Sequence, residues 1–248
     1  MQVVRIRLTE KGNEGCELAP IEIVKALRQV RGLDVDKINL EEIHVNLDKK
    51  EEANHLILEN SKEMFEMNDK SFFIGGDNSI NYSLFRGFDK VIGGICVVFD
   101  AYTNCEEGGW VRKLVENGFN GRRIILVGCR NYSIEELEFI KQEEISLIKM
   151  DVLNEDLNGV CDMIMERLRD SRGVYVNISL NVVDPGSAPG VCRLESAGIS
   201  GRDMLYFTKR LKLLKNFKGA GVVNVNPIKD FNEITVNLAS RLLGELIS

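Results

Sequence analysis

Histidine is scarce in this chain of 248 residues: His44 and His55 are the only two, and both precede the segments in which chemistry can be placed. Cysteine occurs six times (16, 96, 105, 129, 161 and 192) without a CxxC pair, which argues against structural zinc and fits a reduced, cytoplasmic chain. No run of Lys and Arg exceeds the Arg122-Arg123 pair and the formal charge is −6, so a phosphate backbone finds no electrostatic footprint and nucleic acid is excluded as a partner. Long apolar runs are missing too. The longest, residues 91–99, contains two glycines and stops at Asp100, well short of the roughly 20 residues that a membrane span needs. Arg5 and Arg7 interrupt the early apolar stretch, which excludes a secretory signal and makes the cytoplasm the expected location. No Pro-, Gly- or Ser-rich linker divides the chain and no internal repeat is visible, so residues 1–248 read as one domain.

What is present is a globular composition, 44% apolar, in which short β-rich runs alternate with amphipathic segments. Strands are expected at 3–8, 71–74, 95–99, 123–127, 146–148, 174–180 and 221–225, several of them apolar on both faces as central parallel strands must be. Pro20 suits the first turn of a helix running to about residue 30, and Ser133-Ile-Glu-Glu136 is a capping-box pattern. Ser200-Gly-Arg-Asp203 opens another helix through 214. A last one, 234–247, carries an apolar stripe at 234, 238, 242 and 246. Trp110 reads as helix packing, and the acidic residues at 41–42 and 48–52 as a solvated face.

Repeated strand–helix alternation predicts an α/β protein with a mostly parallel sheet, and such sheets place ligand sites at the carboxyl ends of their strands. Those ends carry Gly75-Gly-Asp-Asn78, Asp100-Ala-Tyr-Thr-Asn104, Gly128-Cys-Arg-Asn131, the stretch from Ser179 through Asp184-Pro185 to Pro189-Gly190, and Asn224-Val-Asn-Pro227. In this order and spacing they resemble the arginase and agmatinase (ureohydrolase) family, whose hallmarks are GGDH, DAHxD, DxDxxDPxxAPG and a late ExNP or ExSP. Gly15-Cys-Glu-Leu-Ala-Pro20, Ala197-Gly-Ile-Ser-Gly-Arg202, and Asp230 with Thr235 extend the resemblance over nearly the full chain. It implies a three-layer αβα fold, a homo-oligomer (trimer or hexamer) and, in working members, two manganese ions that hydrolyse a guanidinium or related amidine group.

The positions that the resemblance assigns to metal ligands have changed chemistry. The histidine of GGDH is Asn78; DAHxD keeps Asp100 but has Tyr102 and Asn104; the aspartates of DxD fall on Ser179 and Asn181; and the substrate-gripping glutamate falls on Asn224. Shifting the register of the fourth motif by two residues does not recover an aspartate pair. The segment after DAHxD is short, with Glu107 just before Gly108-Gly-Trp-Val-Arg112, and neither histidine sits where a ligand belongs. Two divalent ions bring four positive charges, which the family offsets with four carboxylates. Here one remains. Amides and a hydroxyl are neutral oxygens, and a tyrosine of reference pKa about 10 ligates poorly at neutral pH. Without the ions no hydroxide forms near pH 7.

The sequence therefore reads as a ureohydrolase-family protein without its dinuclear site, acting as a noncatalytic subunit, a small-molecule binding protein or a regulator, with no metal or cofactor expected. The alternative is an amidinohydrolase that recruits manganese through an unconventional set, Asp77, Asp100, Glu107 and Asp184. A third reading places thiol chemistry at Cys105 and Cys192, which adjoin motif residues and would share the pocket; the lack of a nearby histidine to lower a thiol pKa disfavours it.

Overall fold

Strands buried on both faces need helices on both, and the apolar runs of this chain assemble accordingly. The computed structural model describes residues 2–248. Its strands are β1 (Gln2–Ile6), β2 (Asn39–Ile43), β3 (Ser71–Gly75), β4 (Ile95–Phe99), β5 (Ile124–Cys129), β6 (Ser146–Lys149), β7 (Val174–Ser179) and β8 (Phe217–Val223). They form one sheet in the order β2-β1-β3-β8-β7-β4-β5-β6, and every neighbouring pair is parallel. On one face lie α1 (Ala19–Leu27), α6 (Met150–Glu155), α7 (Leu157–Arg169), α8 (Gly201–Leu211) and α9 (Ile234–Ile247); on the other, α2 (Lys50–Met67), α3 (Asn81–Val91), α4 (Trp110–Glu116) and α5 (Ile134–Gln142). The result is a three-layer αβα sandwich. The two-residue period of a strand divides the cores: along β4, Val97 and Phe99 enter the first, Cys96 and Val98 the second.

Local signals hold at several points. Ser133 and Glu136 form a reciprocal capping box, and the Ser200 side chain accepts from the Asp203 amide. Elsewhere the structure corrects the sequence reading. β2 was not expected, because Asn-Leu-Glu-Glu-Ile has no apolar run; it is an edge strand held by pairing with β1. α1 and α8 stop at Leu27 and Leu211, short of the expected 30 and 214. The buried face of α9 is wider than one stripe, taking in Val236, Ala239, Leu243 and Ile247, while Ile234 is exposed.

Chain order explains where a crevice opens. The chain builds β1 to β3 outward, continues with β4 to β6 at the other side, and inserts β7 and β8 last, between β3 and β4. The segments after these four central strands therefore converge at one end of the sheet.

Candidate functional site

Asp100 follows β4 and is fully buried. Its Oδ2 accepts from Asn78 Nδ2 at 2.9 Å and from Asn104 Nδ2 at 3.3 Å, and its Oδ1 from the Tyr102 amide at 3.3 Å. The Ser179 hydroxyl also donates to it and itself accepts from Asn224 Nδ2 at 2.8 Å. Asn81 steadies Asn78 by donating to its Oδ1 at 2.9 Å, and Asn78 Nδ2 also reaches Asn104 Oδ1 at 3.1 Å. Four segments distant in sequence thus share one hydrogen-bonded floor with a single carboxylate at its centre. Asn104 (φ 56°) and Asn224 (φ 67°) hold left-handed backbone, which asparagine tolerates better than most side chains.

Burial raises the Asp100 carboxyl above its ordinary 3.8, against the hydrogen bonds that lower it. A proton is then held more tightly by the folded than by the unfolded chain. This favourable contribution is complete below about 3.8 and is lost as pH rises through the folded value. Asp100→Asn removes the titration, so the stability of the variant relative to the parent should improve between about pH 4 and pH 7. Urea midpoints across that range check the sign, and the opposite trend would mean that the hydrogen bonds outweigh burial.

Above the floor lies a cavity of ≈ 260 Å³ whose wall includes Asn13, Tyr82, Trp110, Lys113, Asn181 and Arg193. Arg193 lies over the Tyr102 ring at 4.1 Å and Lys113 over Tyr82 at 4.7 Å, so two cations without an ion-pair partner among the described residues stand on aromatic faces at the rim. Two roomier grooves, ≈ 610 Å³ and ≈ 740 Å³, touch none of the central strand-end residues 75–78, 100–104 and 224–227.

Of the other sequence candidates, Asp77, Tyr102 and Glu107 line the same cavity and Asp184 does not. Asp77 Oδ2 accepts from Thr9, the Glu10 amide and Asn13, and its Oδ1 from the Ser79 amide; it ties the loop after β1 to the turn after β3. Asp184 accepts from the Gly186 and Gly198 amides at 2.9 and 3.2 Å. Glu107 is exposed at the rim. The Tyr102 hydroxyl turns from Asp100 toward Glu195 at 3.3 Å.

The cysteine reading needs correction. The sulfur of Cys192 stands against that of Cys16, and neither Cys105 nor Cys192 lines the cavity, so the two do not share it. Burial pushes the Cys105 thiol up to about 12, which makes it inert at neutral pH.

Sequence reasoning also missed two arginines. Arg193 carries no motif. Arg130 lies in the Gly128–Asn131 segment, which was noticed without a role; its guanidinium spans the loops after β5 and β7 and donates only to backbone carbonyls.

Comparison with known proteins agrees with this geometry. A model described as the Arginase family matches residues 4–248. The mitochondrial arginase of Medicago truncatula is 30% identical over 240 residues, covering 90% of this chain and 68% of that protein. The agmatinase of Bacillus subtilis (strain 168) is 29% identical over 213 residues, 82% of this chain and 69% of that one. The crystal structure of formimidoylglutamase from Bacillus subtilis subsp. subtilis str. 168 has a TM-score of 0.93 at 21% identity, covering 99% of this chain and 85% of that chain, a likeness of fold. A chain matched along almost its whole length, with its strand-end segments meeting at one crevice of the αβα sheet, is a member of the Arginase family.

Proposed function

We propose that this chain is a noncatalytic member of the family that holds a small polar molecule in the amide-lined cavity, as a binding or regulatory protein or as a noncatalytic subunit of a larger assembly. The observation that carries the reading is the state of Asp100. In a dinuclear centre, carboxylate oxygens face cations; here they face the amide groups of Asn78 and Asn104. The donor set does not fit two divalent ions: one carboxylate lies at the floor, and among the described residues no three His, Cys, Asp or Glu side chains are grouped to hold a metal. The unconventional set fares no better, since Asp77 and Asp184 are occupied by amide and hydroxyl donors and Glu107 is at the rim. A polar ligand is supported by Ser79 Oγ and Trp110 Nε1, which belong to cavity-lining residues, are buried and have no hydrogen-bond partner among the described residues.

The test is urea release from arginine and agmatine, with and without manganese, beside thermal midpoints in excess chelator and in roughly 0.1 mM manganese. No turnover and no shift are expected, because a lone carboxylate binds a divalent ion no better than about millimolar and linkage then contributes almost nothing. Manganese-dependent urea release abolished by Asp100→Ala, or a chelator-induced drop of several degrees reversed by manganese, would overturn the reading.

A further inference from the structure

The sulfurs of Cys16 and Cys192, 176 residues apart in sequence, stand within bonding reach of each other, while Cys96, Cys105, Cys129 and Cys161 are unpaired and buried. We infer that Cys16 and Cys192 form a reversible thiol–disulfide site that latches the wall of the amide-lined cavity, with a dithiol as its co-reactant.

Placement makes the argument. Cys16 opens the short turn Cys16–Leu18; three residues before it, Asn13 lines the cavity and donates to Asp77 at 2.7 Å. On the other side, the Cys192 amide donates to the Asn224 carbonyl at 3.2 Å. The next residue is Arg193, a cavity-lining side chain over Tyr102 whose amide donates to Asn181 Oδ1 at 3.3 Å. The bond therefore ties the wall carrying Asn13 to the wall carrying Arg193.

The same junction has a noncovalent hold. The Asn226 amide donates to the Gly190 carbonyl at 2.7 Å and its side chain to the Glu14 carbonyl at 2.9 Å. Gly15 (φ +98°) packs so closely here that a Cβ would stand 2.6 Å from Asn226 Oδ1. Opening the disulfide thus leaves the segments docked through Asn226 and removes a covalent limit on their motion.

Access and reactivity agree. Both residues are buried, Cys16 fully and Cys192 with 7% of its surface exposed, so of the two Cys192 is the half assigned to external exchange. The Lys229 ammonium donates to the Cys192 carbonyl at 3.2 Å and so holds the backbone of this half of the pair. Burial raises the thiols of Cys96, Cys105, Cys129 and Cys161, which suppresses internal scrambling and leaves an external dithiol as the reductant. One thiolate of that dithiol attacks Cys192 Sγ; the S–S bond breaks, and its electron pair leaves on Cys16 Sγ, which takes up a proton. The second thiolate of the reductant then closes its own disulfide and releases Cys192, which is protonated in turn. Two electrons pass from the dithiol to the cystine, and a small disulfide oxidant reverses the step.

The test uses the whole native chain in dithiothreitol and in its oxidised cyclic form, followed by differential alkylation and amide hydrogen exchange read by mass spectrometry. Labelling of Cys16 and Cys192 should rise together under the reductant and fall under the oxidant, with the other four cysteines unlabelled until denaturation. Exchange in residues 10–16 and 190–197 should quicken about tenfold on reduction while the sheet is unchanged. Cys192→Ser should show the fast exchange in both conditions, and Cys161→Ser should behave like the parent. A pair that stays reduced in the oxidant, a bond that resists native reduction, or reduction without faster exchange in the two segments would each overturn the latch. If Cys192→Ser does not fold, the redox series on the parent decides alone. None of these readouts involves a cavity ligand, so the latch can fail while the noncatalytic reading stands, and the reverse.

Discussion

Replacing Arg130 by alanine is expected to lower the thermal midpoint by roughly 10 °C, which corresponds to about 4 kcal/mol in a chain of this length. Its guanidinium donates to the carbonyls of Ser196 (2.7 Å), Gly128 (3.4 Å), Val182 (3.1 Å), Asn181 (3.0 Å) and Glu195 (2.6 Å). Four of these belong to the long connection after β7, which carries both Asn181 and Arg193 to the cavity. Alanine would leave carbonyls of a partly buried loop without donors, and unmade hydrogen bonds of that kind cost more than made ones contribute. Lysine keeps the charge and loses the fork; a single ammonium cannot serve carbonyls on both sides, so Arg130→Lys should recover less than half of the loss. Calorimetry on the two variants decides. An unchanged midpoint in Arg130→Ala would mean that the loops hold their shape through Asp184 and the backbone alone.

A second large effect is expected from rebuilding the floor with Asn78→His, Tyr102→His, Asn104→Asp, Ser179→Asp and Asn181→Asp together. Without metal this variant should be less stable than the parent, because three new carboxylates crowd the buried Asp100 and like charges in one site repel. With manganese at about a thousandfold over its Kd, linkage returns about 4 kcal/mol, a rise in midpoint on the order of 10 °C that the parent does not show. Turnover should lag behind, since ligands alone do not orient a substrate and Asn224 stays bonded to Ser179 or its replacement. Thermal melts with and without manganese, followed by urea assays, check both parts. A missing manganese response would mean that the five positions are wrongly matched to the family's ligands. Full activity with Asn224 untouched would mean that Asn224 does not stand at the substrate-glutamate position.

From the sequence by itself came the features whose causes are local. The buried strands β4 and β7 are apolar runs, the helix after Ser133 is announced by a side chain and an amide three residues apart, and the spacing of the strand-end segments was enough to indicate the family. The edge strand β2 escaped because its charged residues satisfy only one neighbour and carry no core signal. Tertiary structure alone decided the pairing of Cys16 with Cys192, the capture of Asp77 by Thr9 and Asn13, the span of Arg130 between loops, and the placing of Arg193 over Tyr102. Periodicity and caps act within about four residues, whereas the Asp77 contacts need β1 paired with β3, and the others exist only once β7 and β8 have inserted between β3 and β4. That insertion brings residues 78, 100, 179 and 224 to one point, so the sequence could name the residues of the floor, but the bonding of Asn78 and Ser179 to a single buried carboxylate, and of Asn224 to Ser179, is a property of the folded sheet.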